Sequence, residues 1–140
     1  MKRFALIALL TLLGAVSARA QIGFAPTTMA SIPITISTAT TTQLVAPPTP
    51  PSTAPPQAIY VTAVDVIAAG IGNIQFIAGT GATCGTGTVN ITGNYSLTAQ
   101  VGFTKGTGNG VVWVVPPGLG LCAVTSAAVG MAGSMAYAIF

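Results

Sequence analysis

The sequence predicts an all-β fold: an antiparallel β-sandwich, jelly-roll-like, with seven to eight short strands and one disulfide. Three observations carry that expectation. From Ala58 onward, runs rich in β-branched and aromatic residues recur at roughly ten-residue spacing. Glycine and proline clusters separate them, as turns require. Two cysteines, Cys84 and Cys122, stand far apart in a chain whose first residues point to export.

Lys2 and Arg3 open the chain, the apolar run "FALIALLTLLGAV" follows, and "SARAQ" comes next. That is the order of a secretory signal peptide, with Ala18 and Ala20 set for cleavage after Ala20. The apolar run falls short of the roughly 20 residues of a spanning helix. Residues 1–20 are therefore read as a signal peptide, and the mature chain from Gln21 as secreted, periplasmic or cell-surface. Cleavage removes Lys2, Arg3 and Arg19, leaving Lys105 as the one basic and Asp65 as the one acidic side chain. The net charge of +3 belongs to the precursor, and the mature chain is neutral. A phosphate-binding surface needs several cations, so nucleic acid is not the expected partner.

In an exported chain, Cys84 and Cys122 are expected to pair, which closes a loop worth roughly 4 kcal/mol on the chain-entropy estimate. The alternatives are a metal site and a catalytic thiol. The chain has no histidine, two thiolates leave a zinc shell half empty, and a nucleophilic cysteine would lack its base. No metal and no cofactor are expected.

The elements follow in order. Residues 21–46 read as an extended lead-in, with "SIPITIS" and "TTQLVA" as strand-like pieces. The segment "PPTPPSTAPP" fixes φ and removes donors, so 47–57 read as a proline-rich linker or loop. Residues 21–57 are thus expected to be dispensable for a sandwich over 58–140, with 41–46 as a candidate extra strand. "AIYVTAVDVIAA" is a strand too evenly apolar to assign its faces, and "IGNIQFIAG" is a second. "NYSLTAQVGF" reads as one strand, with Tyr95, Leu97, Ala99, Val101 and Phe103 on a single side. "TKGTGNG" is a loop, "VVWVV" a buried strand, "PPGLG" a turn, "LCAVTS" a strand and "SMAYAIF" the last.

Several functions are excluded or disfavoured. Residues 119–140 are uncharged and long enough to span a membrane, but Gly120, Gly130 and Gly133 dilute them and no cation flanks them. A lipid-spanning barrel ending at Phe140 would consume nearly the whole mature chain, so membrane integration is not expected after cleavage. The glycine clusters lack the full G-x-G-x-x-G spacing and a following P-loop lysine, and read as turns. One carboxylate excludes a glycosidase pair, and the absence of histidine excludes a Ser-His-Asp site. Lys105 lies in a glycine-rich loop, where a solvated charge is the plainer reading than a Ser-Lys site. No catalytic residue is assigned, and the protein is not expected to be an enzyme.

"STATTTQLVA", "AIYVTAVDV", "FIAGTGATCGTGTVNITGNYSLTA" and "LCAVTSAAVGMAGSMAYAIF" together resemble a group of small all-β proteins from phage and prophage structural regions. These are of virion-surface, decoration or fibre-associated type. The resemblance covers residues 37–140 and is most specific at "GTGxxCGTGT" and "LCxxTSAAV". It implies a secreted or particle-surface β-sandwich with its cysteines paired, and it carries over no catalytic residue. The chain departs from that pattern in its proline-rich segment and its leader. The leader points to a host cell-surface protein, and a start further downstream would instead point to a virion surface.

The expected function is accordingly non-enzymatic: a structural module associating with itself, as a homo-oligomer, or with a larger particle or cell surface. The alternative is an exported adhesion or carbohydrate-binding module. Its candidate stacking groups are Tyr60, Tyr95, Trp113 and Tyr137, although Trp113 within "VVWVV" reads first as core. A narrower alternative is a fibre subunit that lends "SIPITIS" to a neighbour's sheet.

Overall fold

In the computed structural model, which describes residues 29–106 and 110–140, the described chain is built from strands in two antiparallel sheets. The front sheet runs β1 (Met29–Ile36), β10 (Met131–Ile139), β3 (Ile59–Ala68), then β7 (Gly102–Lys105), with β8 (Trp113–Val115) on the other half of the same β3 edge. The back sheet runs β2 (Thr41–Val45), β9 (Gly120–Thr125), β4 (Gly72–Thr80), then β5 (Thr86–Asn90), with β6 (Tyr95–Leu97) further along the β4 edge. Ten strands therefore fill eight lanes, four in each sheet. Apart from the β4–β5 hairpin, every step from lane to lane crosses between the sheets. That is the path of a jelly roll.

Each broken lane has a local cause. β3 carries a bulge at Thr62, which has no partner in the β10 register and whose hydroxyl donates to Ala136 O at 3.3 Å. A bulge adds one residue and turns the following side chains to the other face. Ile59 and Val61 are buried before it, and Val64, Val66 and Ala68 after it, which is why the segment looks evenly apolar. The gap between β7 and β8 lies opposite this bulge. In the back sheet the gap between β5 and β6 is filled by Thr92. Its hydroxyl accepts from Phe76 N and donates to Gly93 O, at 3.0 and 2.9 Å.

The core lies between the sheets. Ile34, Ile36, Val64 and Met135 come from the front, and Ile74, Phe76, Leu121 and Ala123 from the back, all nearly inaccessible. The alternation of these positions with exposed ones is the period-2 pattern of strands buried on one face.

Three expectations change. The strand count is ten, not seven to eight, because β5 is a strand with no buried residue and "NYSLTAQVGF" is two strands. Its halves, β6 and β7, belong to different sheets, joined by a turn in which Gln100 takes φ 64° and Val101 N donates to Thr98 O. The sandwich also does not begin at residue 58. β1 and β2, placed in the lead-in over 21–46, form one edge of each sheet and bury Ile34, Ile36 and Val45. Dispensability of 21–57 would thus require each sheet to fold without an edge strand, and "SIPITIS" pairs within its own sheet.

The proline-rich stretch is a connection within the sandwich, not a linker between parts. It carries the chain from the edge of the back sheet to the interior of the front one, where no ladder bonds are needed and missing N–H groups cost little. Gln57 O accepts from Gly118 N, and Ala58 and Phe140 exchange backbone bonds of 2.6 and 3.1 Å. The signal peptide expected over residues 1–20 lies outside the described residues, as do 21–28 of the lead-in and 107–109 of "TKGTGNG".

Candidate functional site: the front face and the crossing end

Four crossings meet at one end of the sandwich: residues 37–40, 69–71, 98–101 and 126–130. Thr125 binds this end together, its hydroxyl donating to Thr38 O at 2.8 Å and its N–H to Thr40 O at 3.0 Å. Ala69 N donates to Gly130 O, Gln100 N to Ala68 O, and Ser126 N to Asn73 O. The crossings are thus tied to each other and to the strand ends below them.

Beneath this end, on the outer face of the front sheet, lies an open trough of about 570 Å³. Thr35, Asp65, Ile67, Gln100, Met131 and Gly133 contribute to its lining. Gly133 lets β10 lie close against β3 here, since a β-carbon there would collide with Asp65 O. Asp65 pairs with Ser134 across the strands and accepts a hydrogen bond from its hydroxyl at 2.5 Å. Ile67, 57% exposed, lines the trough, and two more large apolar side chains stand in solvent on the crossings at this end, Ile71 at 77% and Val101 at 49%. "GIGN" carried a signal for Ile71. An isoleucine between two glycines in a tight turn has no core to enter.

The outer face of the back sheet is covered around Ile77 and Val124. Cys84 and Cys122 form a disulfide with their Cα atoms 6.2 Å apart. Ile77 and both cysteines make a second small cluster, with Val124 packed against it. The loop after β4 reaches this face because Gly79 lets it approach, since a β-carbon at 79 would collide with Cys84 O. Cys84 itself takes φ 52°. Thr88 Oγ1 donates to Cys84 O at 2.7 Å, and Gln43 Nε2 to Gly81 O at 3.1 Å, fixing the loop at both ends. The disulfide fits an oxidising compartment, extracellular or periplasmic.

The four stacking candidates do not stand in one row. Tyr95 stacks on Phe103 at 4.5 Å, Phe103 meets Phe76 edge-on at 6.4 Å, and Phe76 meets Trp113 at 4.9 Å. Lys105 Nζ caps the series 5.8 Å above the Tyr95 ring. Tyr95 and Trp113 are therefore half-buried parts of a series that joins β6 and β4 to β7 and β8 and closes one side of the sandwich. Tyr60 packs edge-on with Phe140 at 5.8 Å, and Tyr137 is half-buried opposite Ala30.

Among the described residues no group of three or more His, Cys, Asp or Glu could hold a metal ion, and no helix is long and apolar enough to cross a membrane. Comparison with protein-family models, curated proteins and solved structures finds no match to this chain.

Proposed function

We propose that the protein is a non-enzymatic surface module, of phage-like decoration or fibre-associated kind, that works by contact through its front face and crossing end. The observation that carries this reading is the group of exposed Ile67, Ile71 and Val101 at the end that holds a nearly uncharged trough. Large apolar side chains exposed together at one end of a domain are a mark of interaction sites. The neighbouring Thr35, Ala132 and Ser134 can be desolvated without stripping water from an ion. A chain with no net charge after residue 20 also lacks the repulsion that keeps small proteins apart.

The surface met is another copy, a larger particle or a cell envelope. A glycan-binding module has less support, because its aromatic candidates are divided between an inter-sheet stack and separate sites. Sedimentation of the exported chain across concentration and ionic strength, with adsorption to particles and envelope, tests the proposal. Association should depend weakly on salt and fall sharply in Ile67→Ser and Ile71→Ser. A monomer at high concentration with no affinity for any of these surfaces would defeat it.

A further inference from the structure

Resting on the reading of the front face as a contact surface, we infer that the trough beside Asp65 receives a second copy of this chain, which brings its Lys105 to Asp65. The trough wall is largely apolar, with Ile67, Ala68, Met131 and Ala132, yet it holds the one acidic side chain of the whole sequence. The bond from Ser134 orients that carboxylate but brings no charge to balance it. Any surface laid over the trough removes the carboxylate from water. That is costly unless a cation arrives with it. The occupant must therefore carry a positive group on a surface otherwise free of charge.

Within residues 21–140 the only such side chain is Lys105. It is exposed on β7, the strand beside the one that carries Asp65. The register keeps the two apart within one copy. Asp65 lies opposite Thr104 on the outward-facing positions of the sheet. Lys105 lies opposite Val64, a core residue, so its side chain leaves by the inner face and comes to rest over Tyr95 of the back sheet. A concave site with the lone anion and an edge with the lone cation are complementary between copies, not within one. In a closed assembly, two-fold or ring, each copy gives one lysine and receives one, so neither side-chain charge is left unpaired. A pair covered in this way is screened little by salt, which agrees with weakly salt-dependent association.

Charge reversal tests the pairing on the exported, disulfide-bonded chain, with thermal melts to confirm that each variant folds. Asp65→Lys and Lys105→Asp should each weaken self-association about tenfold or more, as removal of a covered partner does. The doubly reversed chain should return to within about threefold of the original if the two sites are coupled. Asp65→Asn keeps the shape of the trough and raises the net charge by one, as does Thr86→Lys on the exposed β5 of the back sheet. The asparagine variant should weaken association and the lysine control should not. Equal effects of those two, or failure of the double reversal to restore association, would overturn the pairing while leaving the contact face intact. A chain that adsorbs to particles yet never self-associates would also overturn it and assign the trough to a foreign cationic partner.

Discussion

The outer faces of the two sheets are finished in opposite ways. On the back sheet, outward-pointing Ile77 and Val124 are large and apolar, and a loop pinned by Cys84–Cys122 covers them. On the front sheet the outward positions are mostly small or polar, among them Pro33, Thr35, Asp65, Ala132 and Ser134, and no part of the described chain is folded over them. Ile67, at 57% exposure, breaks that rule beside the trough. The lesson is that the large apolar side chains on one face have been covered by a cross-linked loop while Ile67 on the other has been left bare, so the front face is where contact is to be sought.

The comparison breaks most completely if both sheets lose their edges. A chain beginning at Ala58 lacks β1 and β2 and therefore the burial of Ile34, Ile36 and Val45. That is about 5–9 kcal/mol of apolar burial, against a typical domain stability of about 5–15 kcal/mol. The expected outcome is loss of a cooperative melt by circular dichroism. A retained transition would mean that the edges are dispensable after all.

A smaller effect separates the faces. Replacing Cys84 and Cys122 together by alanine should cost about 2–5 kcal/mol, read as a lowered denaturation midpoint. It should also raise binding of an apolar dye as Ile77 loses its cover, while association through the front face persists. Loss of association in that variant would place the contact on the back face. The smallest effect on stability belongs to the crossing end. Ile71→Ser removes a side chain that is 77% exposed, so the unfolding free energy should change by no more than about 0.5 kcal/mol. A larger cost would show Ile71 to be a packing residue and not part of a contact surface.

What the sequence revealed, and what it hid, follows from where each residue is buried. β3, β4, β9 and β10 are interior lanes in a sheet, and their apolar runs announce them. β5 is buried on neither face, so "TGTVN" carries no alternation to detect. The alternation from Tyr95 to Phe103 is real, but it runs through a turn made by a glutamine at positive φ, where glycine would have been the signal. "SIPITIS" reads as strand-like, but the prolines downstream hide its place in the sandwich, although its own Pro33 sits where proline is tolerated, on an edge strand. The cysteine pairing could be inferred from the expected compartment, but its place outside the core could not. The opposed orientations of Asp65 and Lys105 depend on the β3–β7 register, which no local pattern encodes.

The jelly-roll path also sets a schedule for folding. β9 and β10, contributed by the last stretch of the chain, lie inside their sheets: β9 between β2 and β4, β10 between β1 and β3. Until residues 120–139 arrive, four earlier strands face gaps where their partners belong, with unpaired backbone on both sides of each gap. Such open edges invite pairing with other chains. Folding cannot proceed by adding each strand to a finished edge as the chain emerges. It must wait for the C-terminus and close around it, a non-local step that makes assembly of the monomer slow compared with a chain of hairpins.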